Sequence, residues 1–305
     1  MSRGDAYYAR LTATLEGVGE HLRAKGIVER HLSFGGEGQP PARRPTVPTD
    51  ARSEFLANRA MGDWAEKMLS AALVRGLPEL KVVPYGSTDR IAAGHPEFKT
   101  RYLAGLEETR RFGKRPDLLL FPAGASVAAD LSEQGHADTE PLVKQAIAAV
   151  EVRSSKFEAL TYIAVRKRQR DSGKSTVRQT PSFTVKVEDL LIVYRWLERY
   201  RVPQSYCQVF FDSVFAINFL DIFATIGIGS GGGFTIETPA KSQEKATIMI
   251  PITSGTQIGR ATAIPTFAAE HRVTELGRHD AYVVPQGGGF ELDAAATRKV
   301  LLAEG

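Results

Sequence analysis

Apolar positions along the chain recur with two periods. Tyr7, Leu11, Leu15, Val18 and Leu22 stand at helical spacing, so residues 6–33 read as a helical region. The run Gly35-Gly36-Glu37-Gly38-Gln39-Pro40-Pro41, with Pro45 and Pro48, breaks any regular element and predicts a connector. Thr49-Asp50 are cap residue types for a helix over 52–74, which Gly76-Leu77-Pro78 stops. A short strand is predicted at 80–84, a helix at 98–112 and a strand at 117–121. Residues 122–140 are weakly patterned and read as loop. Residues 142–149 begin helical and end extended, leading into a strand through Glu151. Helix follows at 157–170, then a turn at Asp171-Ser172-Gly173-Lys174-Ser175. Residues 183–187 alternate and are β-branched, as a strand requires. Residues 188–200 form an amphipathic helix ended by Pro203. Segments 206–211 and 214–219 flank Asp212-Ser213 and predict a hairpin. The last third carries β pattern at 246–252 and 281–285 and closes on a helix at 293–302. There is no internal repeat.

Helices and strands alternate through the middle, and strands dominate later. That order predicts an α/β fold with a mixed central sheet flanked by helices. The expected organisation is an N-terminal helical region with its connector (1–48), a core (49–225) and a β-rich C-terminal part (226–305) packed on that core. A chain of 305 residues can bury a sizeable core. Its longest apolar segment, 209–226, is interrupted by Asp212, Ser213, Asn218 and Asp221, so no stretch predicts a membrane span. Met1-Ser2-Arg3-Gly4-Asp5 lacks the apolar core of a signal peptide. A single cysteine, Cys207, excludes an internal disulfide framework and a thiolate zinc site. These features predict a cytoplasmic protein.

The chemistry concentrates in two segments. Arg115-Pro116-Asp117-Leu118-Leu119-Leu120-Phe121 and Ala148-Ala149-Val150-Glu151-Val152-Arg153-Ser154-Ser155-Lys156 each place one carboxylate in an apolar run. Burying a lone carboxylate is costly unless a cation answers it. Two such acids on neighbouring strands make a site for a hard divalent ion, and Mg²⁺ suits them, because it takes oxygen ligands and often only one or two protein carboxylates. On a strand Glu151, Arg153 and Ser155 share a face. The alternative is local: Asp117 capping a turn and Glu151 paired with Arg153.

Net charge is +4, so distribution matters more than total. Arg166, Lys167, Arg168, Arg170, Lys174 and Arg178 face a single acid, Asp171, soon after Glu151. Such a run serves as a solvated helix face, or, beside a phosphodiester site, as a binding surface for backbone phosphates. Gln257, Arg260, Arg272 and Arg278 are further candidates for base readout. The glycines at 227–233 lack the Lys-Ser/Thr ending of a phosphate loop. His21, His31, His95, His136, His271 and His279 show no metal-ligand spacing.

The Asp117 and Glu151 segments resemble the PD-(D/E)XK nucleases. Together with Phe183-Thr184-Val185-Lys186-Val187-Glu188-Asp189-Leu190, Val193-Tyr194-Arg195-Trp196 and Gln208-Val209-Phe210-Phe211-Asp212, they resemble type II restriction endonucleases of the AccI kind over roughly residues 58–225. The resemblance implies a restriction-endonuclease-like fold and Mg²⁺-dependent cleavage of double-stranded DNA at a short palindrome by a homodimer, leaving 5′-phosphate ends. It implies that Asp117 and Glu151 hold the metal, with a lysine completing the site. This chain departs from the pattern: Arg153 stands where that lysine is expected. An arginine stays protonated and cannot act as a base, though it can stabilise charge. Lys156, at the strand end, and Lys186, on the later extended segment, both remain open for the role. Members of the superfamily often carry a Glu on a preceding helix, and Glu66 matches; its other reading is a surface pair with Arg59 or Lys67. A repair or structure-specific nuclease of the same superfamily, and a non-catalytic DNA-binding relative, are the alternatives.

Overall fold

The computed structural model describes residues 2–34, 53–86, 97–174, 178–228, 233–238, 246–274 and 277–303. The Gly/Pro connector, the Thr49-Asp50 cap, His95, Ser175 and the glycines at 229–232 lie outside these residues.

The chain opens on α1 (Arg3–Thr12), whose Ser2 cap and Asp5 exchange hydrogen bonds in a capping box. The region 6–33 is two helices rather than one. Thr12 and Thr14 hydroxyls donate to the carbonyls of Tyr8 and Leu11 (2.8 and 2.7 Å), which competes with continuing the helix. The chain re-enters helix as α2 (Leu15–Ala24), and a 3₁₀ turn follows at Glu29–His31. Next come α3 (Ser53–Gly76), β1 (Leu80–Pro84), α4 (Phe98–Phe112) and β2 (Leu118–Pro122). Helix α5 (His136–Val143) begins inside the stretch expected to be loop. After it come β3 (Ala148–Ser154), α6 (Ala159–Asp171), β4 (Ser182–Lys186) and α7 (Val187–Tyr200). The hairpin β5 (Gln204–Val209) and β6 (Ser213–Asn218) leads directly into α8 (Phe219–Ile228), which the alternating pattern does not predict. Asn218 ends the strand and begins the helix by accepting the Leu220 N–H at 2.9 Å. The chain closes through β7 (Thr235–Glu237), β8 (Thr247–Pro251), β9 (Thr256–Ala263), β10 (Thr266–Val273), β11 (His279–Gln286), β12 (Gly289–Leu292) and α9 (Ala294–Leu301).

The centre is a seven-stranded mixed sheet in the order β1-β2-β3-β5-β6-β9-β12. Only β3 and β5 pair in parallel; the other neighbours are antiparallel. Both faces are covered. On one, Leu119, Phe121, Ala149, Tyr206 and Ile217 pack under α1, α2, α7 and α8. On the other, Leu118, Leu120, Val150, Val152 and Cys207 pack under α3 and α9. Alternation along β2 and β3 thus sends successive side chains into different cores. Each fully buried large apolar side chain of this kind contributes about 1.5–3 kcal/mol. Strands β4, β8 and β7 form a second, three-stranded sheet, and β10 and β11 a two-stranded ribbon inserted between β9 and β12. The last third therefore supplies two strands of the central sheet.

One register matters for function. β2 runs antiparallel to β3 with Leu118 opposite Val150 and Leu119 opposite Ala149. One step further, beyond the end of the ladder, residue 117 faces residue 151.

Candidate active site

Asp117 sits at the mouth of β2. Its carbonyl accepts the N–H groups of Tyr85 and Gly86 at 2.9 and 3.1 Å, which ties it to the end of β1. Its carboxylate Oδ2 accepts the Val152 N–H at 2.6 Å. A Cβ on Gly86 would lie 3.0 Å from Asp117 Cα and 3.1 Å from Oδ1, so glycine at 86 keeps that oxygen clear. Glu151, on β3, is 1% exposed. Its Oε1 is answered by Lys114 Nζ and, at 2.9 Å, by Arg153. Its Oε2 is buried and has no hydrogen-bond partner. Glu66 approaches from α3. It does not pair with Arg59, which engages Asp63 at 3.9 Å instead.

The electrostatics follow from crowding. Burial, then the charges of Glu151 and Glu66, push the Asp117 carboxyl well above its ordinary value, against the pull of Lys114 and the Val152 N–H. Burial, then Asp63 and Glu151, raise Glu66 to about 7. Three acids thus lie in one another's field with two cations beside them. Among the described residues no three His, Cys, Asp or Glu side chains are gathered closely enough to grip an ion as they stand.

Arg153 is clamped. It reaches Glu151 at 2.9 Å and Asp189 of α7 at 3.4 Å, donates to the Tyr206 hydroxyl at 3.1 Å, and lies over the Tyr206 ring at 5.9 Å. The Tyr206 hydroxyl in turn donates to the Thr184 carbonyl. Burial opposes its charge, but Glu151, Tyr206 and Asp189 outweigh that and hold its pKa well above the usual arginine value.

Sequence reasoning missed Lys114 and Asp189. Lys114 lies three residues before Asp117, in Gly113-Lys114-Arg115-Pro116-Asp117. A cation so close to the first acid was the available signal. Asp189 carried none, because its buried place on α7 emerges only from packing. Lys156 is exposed just past β3, and Lys186 is exposed at the end of β4, in the second sheet. Neither forms an ion pair with Glu151, whose cation partners among the described residues are Lys114 and Arg153.

The basic run lies on and after α6, which continues from the strand of Glu151. That helix buries only Ala159. Its first turn is capped from the β5–β6 hairpin: Asp212 accepts the N–H groups of Ala159 and Leu160, both at 2.8 Å. Arg166 stacks on Tyr162 at 5.1 Å and bonds Gln169. Lys167, Arg168, Arg170 and Lys174 are exposed, and Arg178 pairs with Glu237. Arg260 is exposed on β9, while the Gln257 amide donates to the Gly259 carbonyl at 3.3 Å. Arg272 and Arg278 both bind Asp280, at 3.5 and 3.1 Å.

These features define an α/β protein with a crowded acidic site, bridged by lysine and arginine, at the end of an antiparallel strand pair. The family profile described as AccI restriction endonuclease matches residues 25–172 and 163–304, and the chain belongs to that family. No curated protein and no solved structure matches it. Membership implies a nuclease, a hydrolase that acts on DNA. Among the described residues no helix is long and apolar enough to cross a membrane.

Proposed function

We infer that the protein is a type II restriction endonuclease of the PD-(D/E)XK kind that hydrolyses double-stranded DNA with Mg²⁺. The observation that carries this reading is the register that sets residue 117 opposite residue 151 one step past the β2–β3 ladder, with Glu151 Oε2 buried and unanswered. A buried carboxylate oxygen without a partner is costly. Raised carboxyls at Asp117 and Glu66 mark the same excess of negative charge. The donors are all carboxylate oxygens, which fits a hard divalent cation. Asp117 and Glu151 would hold it, with Glu66 contributing from α3. When bound, Mg²⁺ supplies an activated water and neutralises charge on the scissile phosphate.

The chain's own groups do the rest. The N–H donors of Tyr85, Gly86 and Val152 fix Asp117. Arg153, held by Asp189 and Tyr206, orients Glu151. The exposed cations on and after α6 supply phosphate contacts, with a steep salt dependence. The nuclease core is assigned to 49–225. A palindromic site read by a two-fold homodimer matches the symmetry of such an operator.

Digestion of a known plasmid with Mg²⁺, followed by end sequencing, tests this. Discrete fragments with 5′-phosphate ends at one repeated site are expected. Nicking or end degradation points to a structure-specific nuclease, and binding without cleavage in Mg²⁺ or Mn²⁺ to a non-catalytic relative.

A further inference from the structure

Two cations meet on Glu151 Oε1, and they are held differently. Arg153 is committed to Glu151, Asp189 and Tyr206 at once. Withdrawing it would strip a cation from the buried Asp189 and Glu151, which is strongly destabilising. Among the described residues, Lys114 has a single side-chain partner, Glu151. Its side chain is 20% exposed against 37% for Arg153, so the two differ in the number of their partners and not in burial. The root of Lys114 is pinned. The Lys114 N–H donates to the Ile192 carbonyl at 2.9 Å, and the Gly113 N–H to Thr109 at 2.9 Å. Gly113 has φ +90°, and a Cβ there would lie 2.4 Å from Trp196 N and 2.5 Å from Ile192 O. Only glycine permits this approach to α7. The result is a fixed backbone carrying a flexible four-carbon stem with a point charge at its tip.

We propose that Lys114 supplies the cation that contacts the scissile phosphate, resting on Glu151 in the free protein and turning to the DNA backbone in the complex, while Arg153 stays behind as a positioning residue. This rests on the nuclease reading. It follows from which of the two charges can move. A phosphate of bound DNA would compete with Glu151 for the ammonium with or without a metal, and a dication held by Glu151 would strengthen that competition. The lysine of this site then comes from the segment before the first acid, not from the strand of the second.

The test uses the full chain with Lys114→Gln, Lys114→Arg and, as a surface control, Lys299→Gln on α9. Single-turnover cleavage is measured with Mg²⁺. DNA affinity is measured against salt in EDTA, where no metal contributes. Lys114→Gln is expected to lose about 10²–10³-fold in cleavage rate, as for removal of one preorganised charge donor. Its log-log salt slope should become shallower by about 0.9, one phosphate contact. Lys114→Arg keeps the charge and so the slope, but its rigid fork does not reproduce the ammonium contact, and about a tenfold rate loss is expected. Lys299→Gln should match the wild type in both. A Lys114→Gln protein with wild-type slope and rate overturns the proposal. If Lys114→Gln does not fold, a fully active Lys114→Arg overturns it, since a purely structural ion pair needs only the charge. A wild type that binds but does not cut overturns the nuclease reading, and the slope measured in EDTA still decides Lys114.

Discussion

The end of β2–β3 and the tip of the β10–β11 ribbon both gather acids and arginines, with opposite balance. At the ribbon one acid, Asp280, sits between Arg278 at 3.1 Å and Arg272 at 3.5 Å, with the Ser53 hydroxyl at 3.1 Å. The Arg278 hydrogen bond, against the cost of burial, lowers its pKa. At β2–β3 three acids share two cations; Asp117 and Glu66 are pushed up, and one Glu151 oxygen has no partner. In the first arrangement two arginines answer one acid, and the Ser53 hydroxyl ties it to α3. The second is short of positive charge. Charge proximity alone is therefore no sign of a site; an unmet buried negative charge is.

That contrast can be broken by substitution. Asp117→Asn and Glu151→Gln should each lower plasmid cleavage about a thousandfold, several kcal/mol of transition-state stabilisation, while Asp280→Asn should cut at the wild-type rate. Cleavage that survives Glu151→Gln but not Asp280→Asn would reverse the assignment. Next in size is Gly86→Ala. The added methyl crowds Asp117 Oδ1, and about a tenfold loss of rate with unchanged DNA affinity is expected, read by single-turnover kinetics beside a binding titration.

A third effect is on stability against pH. Glu66 keeps its proton up to about 7 in the folded molecule, against an ordinary value of 4.5. Folding then binds a proton between those values, so its contribution is full below about 4.5 and is lost as pH rises to about 7. His136 runs the other way. Burial, with Arg115 and Arg199, lowers it from 6.5 to about 4, so stability is gained as pH rises across that window. The difference in melting temperature between wild type and Glu66→Gln, without metal, isolates the first. It should favour the Gln variant increasingly from pH 5 to 7, and a flat difference would remove Glu66 from the site. The smallest effect is at α6: Asp212→Ala should cost about 1 kcal/mol in denaturant unfolding through the lost cap.

Much of this was legible in the pattern. The apolar runs around Asp117 and Glu151 predicted neighbouring strands, and the β2–β3 register bears out the neighbourhood. The helices at 98–112 and 188–200 also follow from periodicity, as α4 and α7 confirm. The start of α8 did not, because Phe219 and Leu220 continue the short apolar run of 214–217 past Asn218, and a buried helix start there looks like a strand. Nor did the second cation on Glu151. Local periodicity relates Glu151 to Arg153 on its own strand, but Lys114 arrives through Gly113 and the backbone of α7, a contact of tertiary packing. Arg153 was visible as a neighbour of Glu151, while its partners Asp189 and Tyr206 were not.

Calorimetric titration of Mg²⁺ into the full chain near pH 7 tests the shared cation site most directly. The account predicts binding to the wild type with release of protons, as Glu66, raised to about 7, ionises, and loss of that binding in Asp117→Asn and Glu151→Gln. Variants that bind Mg²⁺ as the wild type does, with the same proton release, would contradict it.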